Sequence, residues 1–134
     1  MTLQYSTTAR NNRLDEITAL AGASAWLQVW DGAIPATPST APAGTLLASC
    51  AMSNPIAPAA SSGVLTMSAI ADDTNSNASN PPTFARIATS ETGTTSGVAQ
   101  MSAGVGSGDL NFDAAVVAGG TVTVNTLAFT DGSP

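Results

Sequence analysis

The chain has no lysine and no histidine, and its 134 residues include one cysteine, Cys50. Without histidine there is no Ser-His-Asp or Cys-His catalytic arrangement. Without lysine there is no Schiff-base amine and no phosphate-loop lysine. A lone cysteine allows no intramolecular disulfide and no zinc site built from Cys and His. Charge is also scarce: charged residues are 9% of the chain, against about 25% in an average soluble protein. The cations are Arg10, Arg13 and Arg86, set against nine carboxylates for a formal net charge of −6. Three arginines cannot form the basic stripe that neutralises phosphates, so nucleic acid is not an expected partner. An anionic membrane surface would repel the chain. No apolar run reaches the 18 or so residues of a membrane span. The start, MTLQYSTTAR, lacks the basic and apolar segments of a secretory signal. These features lead us to expect a soluble protein made in a reducing cytoplasm.

Aromatic residues are few as well, six in all, and both tryptophans fall in one short run, Trp26 to Trp30. A glycosidase cleft is typically lined with aromatics, so the closely spaced acids Asp72 and Asp73, or Asp109 and Asp113, do not read as a carboxylate pair for glycoside hydrolysis. Three further patterns are weak. Gly104-Val105-Gly106-Ser107-Gly108 has the wrong spacing for a dinucleotide loop and reads as a flexible hairpin. Asp73, Asn75 and Asn77 match the first three ligand positions of a calcium loop. Ala78 and Phe84, however, stand where glycine and glutamate are needed. Asn77-Ala78-Ser79 is a glycosylation sequon, with meaning only in a protein secreted by a eukaryote. We expect no catalytic residue, no metal and no cofactor.

What is present is patterned for β-structure. Hydrophobic residues make up 43% of the chain, and the length suits a single domain over 1–134. Residues 1–22 read as an arm and a helix, and residues 23–134 as strands. The helix spans 8–21, with Leu14, Ile17 and Ala21 on one face and Leu20 nearby. Ser6, Thr7 or Thr8 can cap its start, and Gly22 its end. Strands are expected at 25–30, 45–52, 64–70, 84–89, 98–102, 110–112 and 121–129. Each is bounded by Gly, Pro, Asn or Ser, the pattern of an antiparallel β-sandwich or a jelly-roll-like barrel. Residues 72–82, DDTNSNASNPP, read as a long exposed loop. Strand edges are commonly guarded by lysine. Here they must be covered, broken by proline or paired, which suits a protein built to assemble, although genome composition produces the same bias.

Alternation places Ala25, Leu27 and Val29 on one face of the first strand and Trp26, Gln28 and Trp30 on the other. The aliphatic face fits a core. The tryptophan face needs its own cover, and the helix with Leu14 and Ile17 is the nearest candidate, ahead of a neighbouring subunit and then a sugar.

The stretch LQVWDGAIPATPSTAPAGTLLASCAM, residues 27–52, resembles a pattern in small virion proteins of tailed bacteriophages. A strand ends in an aromatic and a small turn (Trp30, Asp31, Gly32). A proline follows (Pro35), then a polar Ala/Thr/Pro loop, and Gly44-Thr45-Leu46-Leu47-Ala48 opens the next strand. TTARNNRLDEI near the start and VVAGGTVTVNTLAFT near the end resemble the ends of the same family. The resemblance implies a β-sandwich on the capsid surface of a virion, a head decoration (cement) protein that binds the major capsid protein, with a homotrimer favoured. Interface residues expected on that reading are Leu3, Tyr5, Arg10, Arg13, Trp26 and Trp30, since aromatics and arginine dominate interface energies. The alternatives are a tail or neck component, and a carbohydrate-binding module that stacks sugars on Trp26 and Trp30.

Overall fold

A computed structural model gives the fold, and residues 1–132 are described. Helix α1 (Thr7–Ala21) is followed by strands β1 (Trp26–Trp30), β2 (Leu46–Ala51), β3 (Val64–Thr66), β4 (Phe84–Ala88), β5 (Gly97–Val105), β6 (Leu110–Phe112) and β7 (Ala128–Thr130). The main sheet has the order β2-β1-β4-β5-β6, and β3 and β7 form a small second sheet. The fold is mainly β with one N-terminal helix, and its main sheet curls into a half-barrel. Pairing is antiparallel except between β5 and β6, which run parallel.

That exception corrects the expectation of an all-antiparallel sheet and of a simple hairpin at 104–108. Parallel neighbours usually need a crossover of a dozen residues or more, yet here residues 106–109 suffice. Gly106 and Gly108 make the turn with φ of +70° and +87°, a region that L side chains rarely enter. A Cβ on Gly108 would also lie 2.8 Å from the carbonyl carbon of Ala103.

The Ser6 hydroxyl caps α1 by accepting from the N–H of Ala9 at 3.2 Å. Gly22 ends it at φ +68°, its N–H reaching Thr18 O. Leu14 and Ala21 are buried and Ile17 packs beside them, while Leu20 stays exposed. The helix therefore buries a narrow stripe. It buries it in the cluster that contains Leu27, Val29, Cys50 and Ile87, the aliphatic face of the main sheet. The expectation that α1 covers the tryptophans is thus overturned. Its apolar stripe suits an apolar face, and the tryptophan face is largely polar.

The strands are shorter than the apolar runs suggest. The run at 64–70 keeps a ladder only over Val64–Thr66, with Ile70 making a single bridge to Met52. The run at 121–129 is a strand only at Ala128–Thr130, and Val122 bridges Asp73. Residues 123–126, three of them β-formers, line a cavity and have no partner strand, although Val124 is buried in the core. The 72–82 segment is the mostly exposed loop that was expected, but it is tied down at several points. Ser76 is 3% exposed, and its hydroxyl donates to the carbonyls of Val117 and Gly120. This segment also covers the β2 edge. Asp73 Oδ2 accepts from Ser49 N at 2.9 Å and Asn77 N donates to Leu47 O. The edge that lysine would have guarded is capped by a carboxylate and a loop.

Candidate functional site

The main-sheet register lines up one residue from each of four strands. Gln28 of β1 stands opposite Ser49 of β2 and Arg86 of β4, and Arg86 opposite Gln100 of β5. This polar row runs across the tryptophan face, flanked by Trp30 and Phe84. It is covered by two loops, residues 32–44 and 89–96, and it holds both by their backbone carbonyls.

Arg86 is fully buried. Its five N–H groups find five oxygens. Nε donates to Gln28 Oε1 at 2.7 Å. Nη1 donates to Pro38 O and Thr40 O at 3.1 and 3.3 Å. Nη2 donates to Gly93 O and Thr94 O at 3.0 and 2.9 Å. No carboxylate joins them, and among the described residues the one ion pair is Arg13–Asp131. Burial lowers the Arg86 pKa from its ordinary value, but a guanidinium starts so high that it stays charged. Carbonyl dipoles alone balance it.

Gln28 is the hub. The two N–H groups of its Nε2 are shared among the carbonyls of Ser90, Glu91 and Gly93. Its Oε1 accepts from Arg86 and from Trp30 Nε1. Ser49 Oγ donates to Glu91 O, and Gln100 Nε2 to Pro35 O. The Trp30 ring stacks on Phe84 at 6.3 Å between centroids, with the Arg86 guanidinium carbon 5.1 Å from its own centroid. Trp30 is 4% exposed, and Trp26 is half-buried. The two rings do not form the open platform that sugar stacking requires.

At the base of the 32–44 loop, Asp31 accepts from the N–H of Thr45 and from Asn80 Nδ2. These bonds, the backbone one first, hold its carboxyl below the usual range. A depressed carboxylate stabilises the fold above its unfolded pKa of about 3.9 and loses that contribution as pH falls through the lower folded value. Asp31→Asn should therefore lower stability at neutral pH, with the difference from wild type shrinking as pH falls below about 4, so that the acid limb of the stability–pH profile is flatter. An acid limb identical to wild type would refute this role for Asp31.

Three of the other expected interface residues meet beside Asp131. Arg10 Nη1 donates to Asp131 O at 3.1 Å. Arg13 Nε pairs with Asp131 Oδ2 at 3.3 Å and lies 4.4 Å from the Tyr5 ring centroid. Asn11 Oδ1 accepts from Gly63 N, and Asp15 Oδ1 from Ala60 N. Tyr5, Arg10 and Arg13 are thus brought together, and they anchor the N-terminal segment beside β7. Leu3, 57% exposed, lies beyond the anchor in the arm. Trp26 and Trp30 belong to the strapped face and are not part of this group.

Cys50 is buried in the core, and desolvation pushes its thiol up to about 11, so it is protonated near neutral pH. Asp73, the first residue of the weak calcium pattern, uses its oxygens on Ser49 N and Asn75 N. Among the described residues no group of three or more His, Cys, Asp or Glu could hold a metal, and no helix is long and apolar enough to cross a membrane. The polar row itself escaped the sequence reading. Its signal was Arg86 in the middle of the otherwise apolar Phe84–Ala88 run, and Gln28 between two tryptophans. No family model matches the chain, and neither a curated protein nor a solved structure does.

Proposed function

We propose that the chain is a structural subunit of a bacteriophage virion, a head decoration protein that binds the outer capsid surface and stabilises the shell through protein contacts. The observation that supports this reading is how the loops are used. Loops commonly carry binding and catalytic groups, but here the two large ones are held flat on the sheet by Arg86, Gln28 and Gln100. The exposed side chains include Leu3, Leu20 and the half-exposed Arg13 in the N-terminal segment, beside Ile34, Val105 and Val117 elsewhere. A rigid body with a projecting segment fits a part that clamps neighbours better than one that turns over a substrate. Charge fits too, since a net −6 chain has no affinity for packaged DNA and suits the outside of a shell.

Copy number in purified particles tests this. Stoichiometry close to that of the major capsid protein is the expected result, together with binding of the purified chain to empty shells. A handful of copies per particle would overturn the head location and leave a tail or neck part.

A further inference from the structure

Helix α1 has little to hold it together on its own. Its sequence, TTARNNRLDEITALA, contains three Thr and two Asn, all weak helix formers. Its charges also oppose the helix dipole. Arg10 closes the first turn, which holds no acid, and the last turn holds no base, whereas anions belong at a helix start and cations at its end. Two of its residues, Leu14 and Ala21, are buried. Such a helix keeps its form only while it is docked.

The docking relies on a few polar contacts beside β3 and β7. Asn11 and Asp15 accept from Gly63 N and Ala60 N, Arg10 donates to Asp131 O, and Arg13 pairs with the Asp131 carboxylate. Asp131 N donates in turn to Gly63 O, so one knot joins α1, the turn before β3 and the end of β7. The gripped turn is itself strained, with Ser62 at φ +54°, a region that non-glycine residues rarely enter. Docking also strands polar atoms. Among the described residues three buried side-chain atoms have no hydrogen-bond partner: Arg10 Nε, Thr18 Oγ1 and Gln100 Oε1. Two of them are on α1, and the third is on β5, against which α1 packs. An unmet buried polar group costs free energy that hydration returns on opening.

The position of α1 gives its release a consequence. It packs against β5 of the main sheet and β3 of the small one, and so spans the two. Between β5 and β7 lies a cleft of about 390 Å³, with Gln100, Met101 and Asp109 on one wall and Leu127–Thr130 on the other. We infer that α1 is a latch: it lets go of the body together with the end of β7, far more readily than the strapped half-barrel unfolds, and its release unties the two sheets along this cleft. Segments that bury little apolar surface and hang on a few hydrogen bonds open at the low end of the stability range. The strands under the loops, held by the matched donors of Arg86, are at the other end.

The latch is independent of the virion reading and is tested on the purified chain alone. Trypsin cuts after Arg and Lys, and the chain offers it Arg10, Arg13 and Arg86. Two lie in α1 and the third lies buried under the loops. With opening and closing fast relative to cleavage, each rate follows the population of the opened form. The Arg13–Leu14 bond lies past the first turn, so fraying of the helix start does not expose it. Scored by fragment mass as the first cut in the intact chain, it should be cleaved roughly tenfold or more faster than Arg86–Ile87. Asp131→Ala should speed the Arg13 cut about two- to fivefold. Thr18→Val, which removes a stranded hydroxyl at the same shape, should slow it about fivefold. Trp30→Phe, which keeps the ring stack but loses the bond to Gln28, should speed the Arg86 cut and leave the Arg13 cut unchanged. Hydrogen exchange should give the Leu14 and Asp131 amides one shared opening equilibrium. Equal wild-type rates at Arg13 and Arg86, or an Arg13 rate that rises in Trp30→Phe as much as the Arg86 rate does, would mean that α1 opens only with the whole fold and would overturn the latch. An Asp131 amide protected far beyond that of Leu14 would overturn the joint release of β7.

Discussion

Arg86→Met is expected to destabilise the fold by about 3–5 kcal/mol, a large part of the 5–15 kcal/mol that holds a typical domain together. Two opposing effects set that figure. Removing the guanidinium relieves a desolvation cost of several kcal/mol. Against this stand five hydrogen bonds from a charged donor, each contributing about 1.5–3 kcal/mol. Methionine leaves the carbonyls of Pro38, Thr40, Gly93 and Thr94 without this donor. The bonds outweigh the desolvation because every donor is matched and the acceptors come from two different loops. Arg86→Lys should lose less, since it keeps the charge, but three donors on one nitrogen cannot reach acceptors spread on both sides of a planar fork. Urea denaturation of the three proteins gives the order directly. Arg86→Met within about 1 kcal/mol of wild type, roughly a surface substitution, would show that the loops stay in place without the arginine.

Trp30→Ala should cost about 3–5 kcal/mol, the range for truncating a large buried aromatic, and Trp26→Ala less than half of that. The two residues share a strand and a face but not an environment. Trp30 stacks on Phe84, lies against Arg86 and donates to Gln28. Trp26 sits at the other end of β1, paired with Ala88 and Ala51, and keeps part of its ring in solvent. Thermal melts of the two variants would decide the point. Equal losses, or a larger loss at Trp26, would mean that the packing around Trp30 contributes little.

Much of this fold can be read from local sequence. Ser6 and Gly22 bracket α1 as capping rules require, and the alternation across Ala25–Trp30 places each side chain on its observed face. The runs containing β2, β4, β5 and β6 are placed to within a residue or a few. What could not be read depends on register between distant strands. Nothing local to Arg86 says that it will stand beside Gln28, 58 residues away, or that carbonyls from two loops will meet both. The cover of the tryptophan face differs from expectation for the same reason. An apolar helix is the obvious lid for two tryptophans, but the residue between them is a glutamine, and a polar row calls for carbonyl groups as its lid. Residues 121–127 show the converse limit. β-forming side chains make a strand only where another strand stands beside them.

The strapping of the two loops also changes how the molecule comes apart. Surface loops usually open locally at little cost, well before the core does. Here Thr40 and Gly93, in loops 53 residues apart, bond the same guanidinium, and that guanidinium sits in a central strand. Neither loop can lift while Arg86 stays in place, and Arg86 cannot leave without disturbing Gln28 and β1. The periphery and the sheet are one cooperative unit, so the parts of the chain that a protease would ordinarily nick first become as hard to reach as the core.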